Sequence, residues 1–297
     1  MVTNVSAMNA LSALRAFNAE FTDTSNRIAT GNRINEAADA PAFWGAVSET
    51  RADVGMLRQM ESTLDFGRSL MSVTNTALGT IRESLVQMRD LFVQATPAGV
   101  DRAALQTGIA ALQNSMSNAI DAATFNGVNL LSGDANGTAL GATFSVVSGY
   151  NGTAVTTIDI TVANVEMDDG TNGFLQTDSA GNIGGAAVDI LAVDISAIAD
   201  ADAAADMAQA ITLVDTLLGN VTTAELTVGT AQNSIESQIN FNAAMINAKE
   251  SAVASLVEAN VEEEAAKLTA LQTQQQLAIQ ALSISNSSVS AVLGLFR

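Results

Sequence analysis

Apolar side chains recur every seven residues along two stretches of the chain. The first set comprises Leu57, Leu64, Met71, Leu78, Leu85 and Phe92. The second set comprises Val261, Leu268, Gln275, Leu282, Val289 and Phe296, and is thickened by Val257, Leu271, Ile279 and Val292. Seven residues make two helical turns, so each set predicts one apolar seam along a long helix.

A third seam opens the chain, with apolar residues three or four positions apart. A long helix with a narrow apolar stripe cannot bury that stripe alone, so its stability comes from packing on another helix. We predict that the seam over residues 57–92 lies inside the subunit, and that the seams over residues 1–30 and 261–297 are buried between copies of the chain. The predicted assembly interface comprises Val5, Met8, Leu11, Leu14, Phe17, Phe21, Leu268, Leu271, Leu282, Val289, Val292 and Phe296.

Local signals give the order of the elements. Helices are predicted over residues 4–30, 42–95 and 101–123, the last of them capped by Asp101. Helical pattern returns near residue 202 and continues, past a cap at Thr222-Thr223, through to the end. Alternating strand-like stretches at residues 143–147 and 156–162 flank Asn151-Gly152, a strong hairpin signal, and a Gly- and Asp-rich loop follows over residues 166–187. The predicted fold class is mainly α: a long coiled-coil-like helical bundle of the N- and C-terminal segments, with a small β-hairpin region in the middle.

Several glycines interrupt the second predicted helix, at positions 45, 55, 67 and 79. Glycine inside a helix costs up to about 1 kcal/mol relative to alanine. We therefore expect another helix to cross closely at these positions.

The charge distribution narrows the possible partners. The formal net charge is −19, and no Lys or Arg occurs between Arg102 and Lys249, a window that holds fifteen Asp or Glu. Such a surface repels nucleic acid and anionic membranes. No apolar run approaches transmembrane length, and the start of the chain lacks the basic region of a secretory signal, so neither membrane insertion nor a cleaved signal is predicted.

Residue types that carry common chemistry are missing. The chain has no Cys and no His, which removes thiol nucleophiles, imidazole bases and most transition-metal sites. Glu166, Asp168 and Asp169 precede Gly170, but the ligand spacing of a calcium loop is absent. We predict no catalytic site, no cofactor and no metal, and therefore no enzyme activity.

Five motifs in order resemble bacterial flagellins. Residues 27–42 read RIATGNRINEAADAPA, which is similar to the "R-[LI]-[SA]-[ST]-G-x-[RK]-[IV]-N-x-A-x-D" segment of that family. Residues 89–94 resemble "R-E-L-A-V-Q", residues 124–128 resemble "x-F-N-G-V", and Gln232-Asn233 resembles part of "Q-N-R". The tail over residues 262–297 is similar to the flagellin C-terminus. Phe43-Trp44 further resembles flagellins of α-proteobacterial type.

The resemblance implies a subunit that polymerises into the flagellar filament for swimming motility. It implies terminal helices at the filament core (residues 1–40 and 256–297), an inner tube of helices with a β-hairpin (41–165 and 200–255), and a short variable surface loop region (166–199). It also implies export without a cleaved signal through the flagellar type III apparatus to an extracellular filament. The expected partners are further copies of the chain, the export apparatus, a chaperone, the filament cap and the hook–filament junction proteins.

The resemblance also implies a surface for an innate immune receptor, formed in related flagellins around "R-E-L". Arg89, Asp90 and Leu91 match that motif. Gln87 stands where the recognised flagellins carry a second Arg, and Gly108 aligns with an acidic residue. We therefore expect weak receptor activation.

Two other functions stay open on the sequence alone. Hook–filament junction proteins share the N-terminal pattern and the length, although the ending VLGLFR is that of a flagellin. A secreted binding protein that uses the acidic loops is the other alternative.

Overall fold

Five long helices dominate the structure, a computed structural model that describes residues 5–135, 137–150, 154–168, 175, 182–183, 186–187 and 189–295. They are α1 (Val5–Thr30), α2 (Pro41–Ala95), α3 (Arg102–Ala122), α4 (Ala203–Val257) and α5 (Val261–Leu295). The predicted mainly α fold with small strands in the middle is confirmed.

The start of α3 follows the predicted capping chemistry. Asp101 is the N-cap, and its carboxylate accepts a hydrogen bond from the backbone N–H of Ala104 at 3.0 Å. This bond satisfies one of the amide groups that a helix leaves open at its first turn.

The helical pattern predicted from residue 202 to the end is interrupted at residues 258–260, where α4 ends and α5 begins. Asn260 caps the new helix: its side-chain oxygen accepts hydrogen bonds from the N–H groups of Glu262 and Glu263, at 3.2 and 3.4 Å. Three glutamates in the first turn of α5 further stabilise its positive end.

The cap predicted at Thr222-Thr223 is also absent, since both residues lie inside α4. Their hydroxyl groups donate to the carbonyls of Leu218 and Gly219 in the preceding turn, at 2.7 and 3.0 Å. A threonine can satisfy its hydroxyl in this way within a helix, so the residue type alone does not mark a helix start.

Short antiparallel strands occupy the middle of the chain. β1 (Thr124–Phe125), β2 (Val128–Asn129), β3 (Asp134–Ala135) and β4 (Thr138–Ala139) form one sheet in that order. The predicted hairpin is present as β5 (Thr143–Tyr150) paired with β6 (Val155–Thr161). β7 (Asn182–Ile183) pairs with β8 (Ala186–Ala187), and the predicted Asn151-Gly152 turn lies outside the described residues.

The chain divides into two compact units. The first unit contains residues 1–55 and 245–297, and the second contains residues 56–244. The predicted functional division into filament core, inner tube and variable loop stays a prediction.

The core of the second unit contains the first predicted seam. Leu64, Met71, Leu78, Leu85 and Phe92 are all fully buried in one large apolar cluster with side chains of α3, α4 and the strands. The intramolecular burial predicted for residues 57–92 is therefore confirmed from Leu64 to Phe92, whereas Leu57 is half-buried.

The β5–β6 hairpin rests on α2 where a glycine leaves room for it. A Cβ atom at Gly67 would lie 2.9 and 3.0 Å from the two γ carbons of Val146, and 3.4 Å from Cδ1 of Ile235. A close approach is thus present at Gly67, but its nearest partner is the strand residue Val146 and not the predicted helix. The predicted close approach is wrong for Gly45, Gly55 and Gly79, where a Cβ atom would meet nothing within 4 Å.

A buried arginine at the start of α3 joins the α2–α3 turn to the segment before α4. Arg102 donates hydrogen bonds to the carbonyls of Ala95, Pro97 and Ile198, and to Oδ1 of Asp200 at 2.6 Å. The guanidinium group is thus hydrogen-bonded on several sides, as a buried charge requires.

Candidate assembly surface

The first and last helices pack against each other in antiparallel orientation. Three side-chain contacts define the alignment: Arg27 with Glu264 at 3.4 Å, Glu20 with Lys267 at 3.0 Å, and Asn18 with Gln275 at 2.7 Å. As the residue number falls along α1 it rises along α5, which is the signature of antiparallel packing.

The two helices form a coiled-coil seam with alternating spacings of three and four residues. Every residue of the seam is buried or half-buried. On α1 the seam comprises Ala7, Ala10, Leu14, Phe17, Phe21, Thr24 and Ile28. On α5 it comprises Glu264, Leu268, Leu271, Gln275, Ala278, Leu282 and Ser285. This spacing keeps one face of each helix turned to the other.

The predicted assembly residues fall into three groups. Six lie in the seam inside the subunit: Leu14, Phe17, Phe21, Leu268, Leu271 and Leu282. Three lie outside it with exposed side chains: Val5 (63%), Met8 (60%) and Leu11 (39%). The side chains of Val289 and Val292, and the whole of Phe296, lie outside the described residues.

The seven-residue stripe predicted on α5 is offset from the observed seam. Val261 and Ile279 belong to the predicted stripe but are exposed, at 49% and 52%. Glu264 lies outside the predicted stripe but is part of the seam, with a side chain only 13% exposed. The seam therefore contains polar and small side chains that an apolar pattern does not identify.

Two further exposed apolar side chains on α5 are not among the predicted assembly residues. Leu277 is 59% exposed and Ile284 is 66% exposed. They lie seven residues apart, which places them on one face of α5. This seven-residue spacing could have identified them in the sequence. The longer apolar stripe that begins at Val261 on the same helix gave the stronger signal.

The far part of the helix pair carries no charge. Residues 5–14 of α1 and residues 268–295 of α5 contain no Asp, Glu, Lys or Arg. The charged side chains of the pair, including Glu20, Arg27 and Lys267, all lie toward the other end, where α1 ends and α5 begins. An uncharged surface with several exposed aliphatic side chains is suited to burial against another protein.

Residues 31–40, a polar elbow between α1 and α2, hold the end of the pair where α1 ends and α5 begins. The backbone N–H of Arg33 donates to the carbonyl of Val257 at 2.6 Å, and that of Ala259 donates to the carbonyl of Gly31 at 2.9 Å. These bonds tie the elbow to the break between α4 and α5. Ile34, Val47 and Val257 form a small apolar core beside it.

A carboxylate closes the elbow itself. Asp39 accepts backbone hydrogen bonds from Asn35 at 2.7 Å and Glu36 at 3.1 Å. These bonds, together with the nearby charge of Arg27, hold the pKa of Asp39 below its ordinary value.

The receptor surface implied by the sequence lies in the second unit. Arg89 forms an ion pair with Asp215 of α4 at 3.3 Å, and Asp90 is exposed. Leu91 is half-buried, and its Cδ1 atom would lie 3.1 Å from a Cβ atom at Gly108. Arg89 and Leu91 are thus both engaged inside the subunit.

Among the described residues, no group of three or more acidic side chains is arranged to hold a metal ion. None of the helices in the described stretches is long and apolar enough to cross a membrane.

Two family descriptions match the chain. The bacterial flagellin N-terminal helical region matches residues 1–136, and the bacterial flagellin C-terminal helical region matches residues 211–296. The first match includes α1 and the second includes α5.

Several flagellins are similar to the chain over its whole length. Flagellin C of Rhizobium meliloti (strain 1021) is 31% identical over 320 residues, which cover 100% of this chain and 99% of the relative. The flagellin of Brucella melitensis biotype 1 is 32% identical over 300 residues, with coverage of 100% and 99%. Flagellin FljM of Caulobacter vibrioides is 30% identical over 298 residues, with coverage of 99% and 97%. The chain therefore belongs to the bacterial flagellin family and is a structural subunit of the flagellar filament.

Proposed function

We propose that the α1–α5 pair is the part of the subunit that drives polymerisation, and that it occupies the core of the filament. The observation that carries this proposal is the uncharged far part of the pair, with exposed aliphatic side chains on both helices. Exposed aliphatic side chains do not stabilise a monomer in water, whereas polymerisation would remove them from water.

The energetic gain per residue supports this role. Covering an exposed aliphatic side chain such as Met8 or Leu277 contributes about 1.5–3 kcal/mol when burial is complete. Several such side chains in each copy offset the entropy lost when a subunit is fixed in the polymer. Because the same contacts repeat along a filament, even modest individual gains hold the polymer together.

The other proposed partners follow from the family. The subunit leaves the cell through the flagellar type III apparatus without a cleaved signal, is accompanied by a chaperone, and is added beneath the filament cap. The first subunits join the hook–filament junction proteins.

The experiment that tests the proposal compares polymerisation of the full chain with that of a Met8→Asp variant. Met8 is exposed in the subunit, so the charge stays in water in the monomer and the fold is retained. In the polymer the same charge is desolvated without a partner, which is strongly unfavourable. We expect salt-induced filaments in electron micrographs of the parent protein and none of the variant.

Ala19→Asp is the matched control. Ala19 is exposed on the same helix, but it lies beside Glu20 in the charged part of the pair. This variant should polymerise. Normal filaments from Met8→Asp, or a parent protein that stays monomeric under all salt conditions, would contradict the proposal.

A further inference from the structure

Methionine is the only sulfur-containing residue type in the chain, and the methionines differ in their exposure. The chain has ten of them and no cysteine, and Met1 lies outside the described residues. Met8 is the one exposed methionine of the described stretches, at 60%. Met56 and Met245 are half-buried. The other six are buried, with an exposure of 6% or less: Met60, Met71, Met88, Met116, Met167 and Met207.

Exposure decides which of these thioethers an oxidant in solution reaches. Hydrogen peroxide converts methionine to methionine sulfoxide. A lone pair of Sδ forms a bond to one peroxide oxygen as the O–O bond breaks, the proton on that oxygen moves to the leaving hydroxide, and water is released. Sulfur is thereby oxidised by two electrons and the peroxide is reduced by two. A buried thioether reacts only when the protein opens around it, so Met8 is the site that such an oxidant modifies first.

The surroundings of Met8 on α1 suit a thioether better than a sulfoxide. Val5 and Leu11 stand three positions before and after it, on the same side of the helix, and are exposed at 63% and 39%. Neither side chain can donate a hydrogen bond. Ser12, one turn further on, already donates its hydroxyl to the carbonyl of Asn9 at 3.2 Å. A sulfoxide oxygen at Met8 therefore depends on water for its hydrogen bonds.

We propose that Met8 is a redox-sensitive modification site, at which hydrogen peroxide or a related two-electron oxidant blocks the addition of a subunit to the polymer. The inference rests on the proposed polymerisation through the α1–α5 pair, in which Met8 moves from water into a contact. The apolar thioether gains free energy from that transfer. The sulfoxide loses its hydrogen bonds to water without replacing them. Oxidised subunits are thus excluded, and polymerised subunits protect their own Met8.

The modification at Met8 is reversible by enzymes. Methionine sulfoxide reductases take two electrons from a pair of thiols, return the sulfoxide to the thioether, and release water and a disulfide. This chain contributes no thiol to either step, because it has no cysteine. Neither the oxidant nor the thiol reductant therefore forms or breaks a disulfide in the subunit, and the oxidation state of Met8 can be reset without other covalent change.

A partition experiment on the parent protein tests the inference. Monomer is treated with hydrogen peroxide until a minor fraction of molecules is oxidised, then freed of peroxide, polymerised with salt and sedimented. Tandem mass spectrometry reads Met8 in the tryptic peptide that ends at Arg15, and Met56 in the peptide over residues 52–58. Met8 sulfoxide should be enriched in the supernatant over the pellet by about tenfold or more. Met56 sulfoxide should partition evenly, whereas even partition of Met8 sulfoxide would overturn the inference.

Two matched variants identify Met8 as the cause. Met8→Leu cannot form a sulfoxide, so peroxide should leave its polymerisation as it is in its own untreated sample. Met56→Leu keeps Met8 and should lose polymerisation on peroxide treatment, as the parent does. Because each variant is compared with its own untreated sample, a change in basal polymerisation does not enter the result. Treatment of the oxidised parent with methionine sulfoxide reductases should restore its polymerisation.

The outcomes separate this inference from the proposed function on which it rests. Met8→Asp tests the proposed function without any oxidant. Loss of filaments in Met8→Asp, together with normal filaments from parent protein that is oxidised at Met8, would overturn the redox inference alone. Equal loss of polymerisation by the parent and by Met8→Leu under peroxide would also overturn it. So would oxidation of Met8 at the same rate in monomer and in finished filaments.

Discussion

The side-chain amide of Gln275 donates a hydrogen bond to Oδ1 of Asn18, at 2.7 Å, across the seam between the last helix and the first. Gln275 occupies a seam position where an apolar residue would stabilise the pair more. A polar residue at such a position can fix the register of two helices at a cost in stability.

Replacing Gln275 by leucine should therefore loosen the alignment without weakening the pair. The chain has no cysteine, so engineered pairs can report the register by disulfide formation. In the parent, Glu20→Cys should cross-link with Lys267→Cys and not with Gln274→Cys, one heptad further on. With Gln275→Leu added, we expect the second cross-link to appear. Exclusive formation of the first would show that packing alone sets the register.

Adding one methyl group at Gly67 should release the β5–β6 hairpin from α2. The new Cβ atom would press on Val146, and overpacking of this kind costs about 1–3 kcal/mol, more than the gain of up to about 1 kcal/mol in helix propensity. Urea unfolding should show Gly67→Ala to be destabilised. Gly79→Ala, with open space around the new atom, should be stabilised by about 0.5–1 kcal/mol.

A double variant identifies the cause. Combining Gly67→Ala with Val146→Ala removes the γ carbons that the new atom meets, so the two effects should be less than additive. Simple additivity would mean that the hairpin does not touch α2 at this point.

The stability of the second unit should fall on the acid side because of Asp200. The hydrogen bond from Arg102, followed by that from the N–H of Gly99, holds the pKa of this carboxyl below its ordinary value. A lowered pKa in the folded state means that the stabilisation is present above the unfolded value of about 3.9 and is lost as the pH falls through the folded value. Asp200→Asn should flatten this acid limb of thermal unfolding.

Receptor-reporter cells should respond weakly to the monomer. Arg89 is tied to Asp215, Leu91 is half-buried, and Gln87 cannot make the bidentate contacts of an arginine. Gln87→Arg should raise the response. A response as strong as that to an enterobacterial flagellin at equal dose would contradict this expectation.

A substitution at Gly108, made together with Gln87→Arg, would also test the receptor surface, but it affects the neighbouring Leu91. A side chain at Gly108 would bring its Cβ atom to 3.1 Å from Leu91, which would then have to shift by a few tenths of an ångström. Gly108→Glu therefore changes the position of Leu91 as well as the local charge. Gly108→Ala separates the two effects, because it moves Leu91 without adding a carboxylate.

The sequence identified the helices and the core of the second unit because their signals are local and strong. A seven-residue apolar repeat from Leu64 to Phe92 leaves little choice of buried face, and Asp101 marks a helix start. The break at residues 258–260 had a readable signal in Asn260 followed by glutamates, but an uninterrupted run of helix-forming residues on both sides obscured it.

The arrangement of the terminal pair could not be predicted from periodicity alone. Both its inner seam and its outer flanks carry aliphatic residues, so hydrophobicity does not separate Leu271, which is buried, from Leu277, which is exposed. The separation depends on which residues of α1 stand opposite, through contacts such as that between Arg27 and Glu264. Those contacts join residues more than two hundred positions apart.

That sequence separation gives the subunit a test of its own completeness. α1 is synthesised before its partner α5, with 237 positions between Arg27 and Glu264. Contacts so distant in sequence form late, after the intervening chain has been made. Under the proposed assembly, a truncated or unfinished chain lacks one helix of the α1–α5 pair and cannot add to a growing end. The pairing of the two ends of the described fold therefore makes polymerisation depend on both helices being present in one chain.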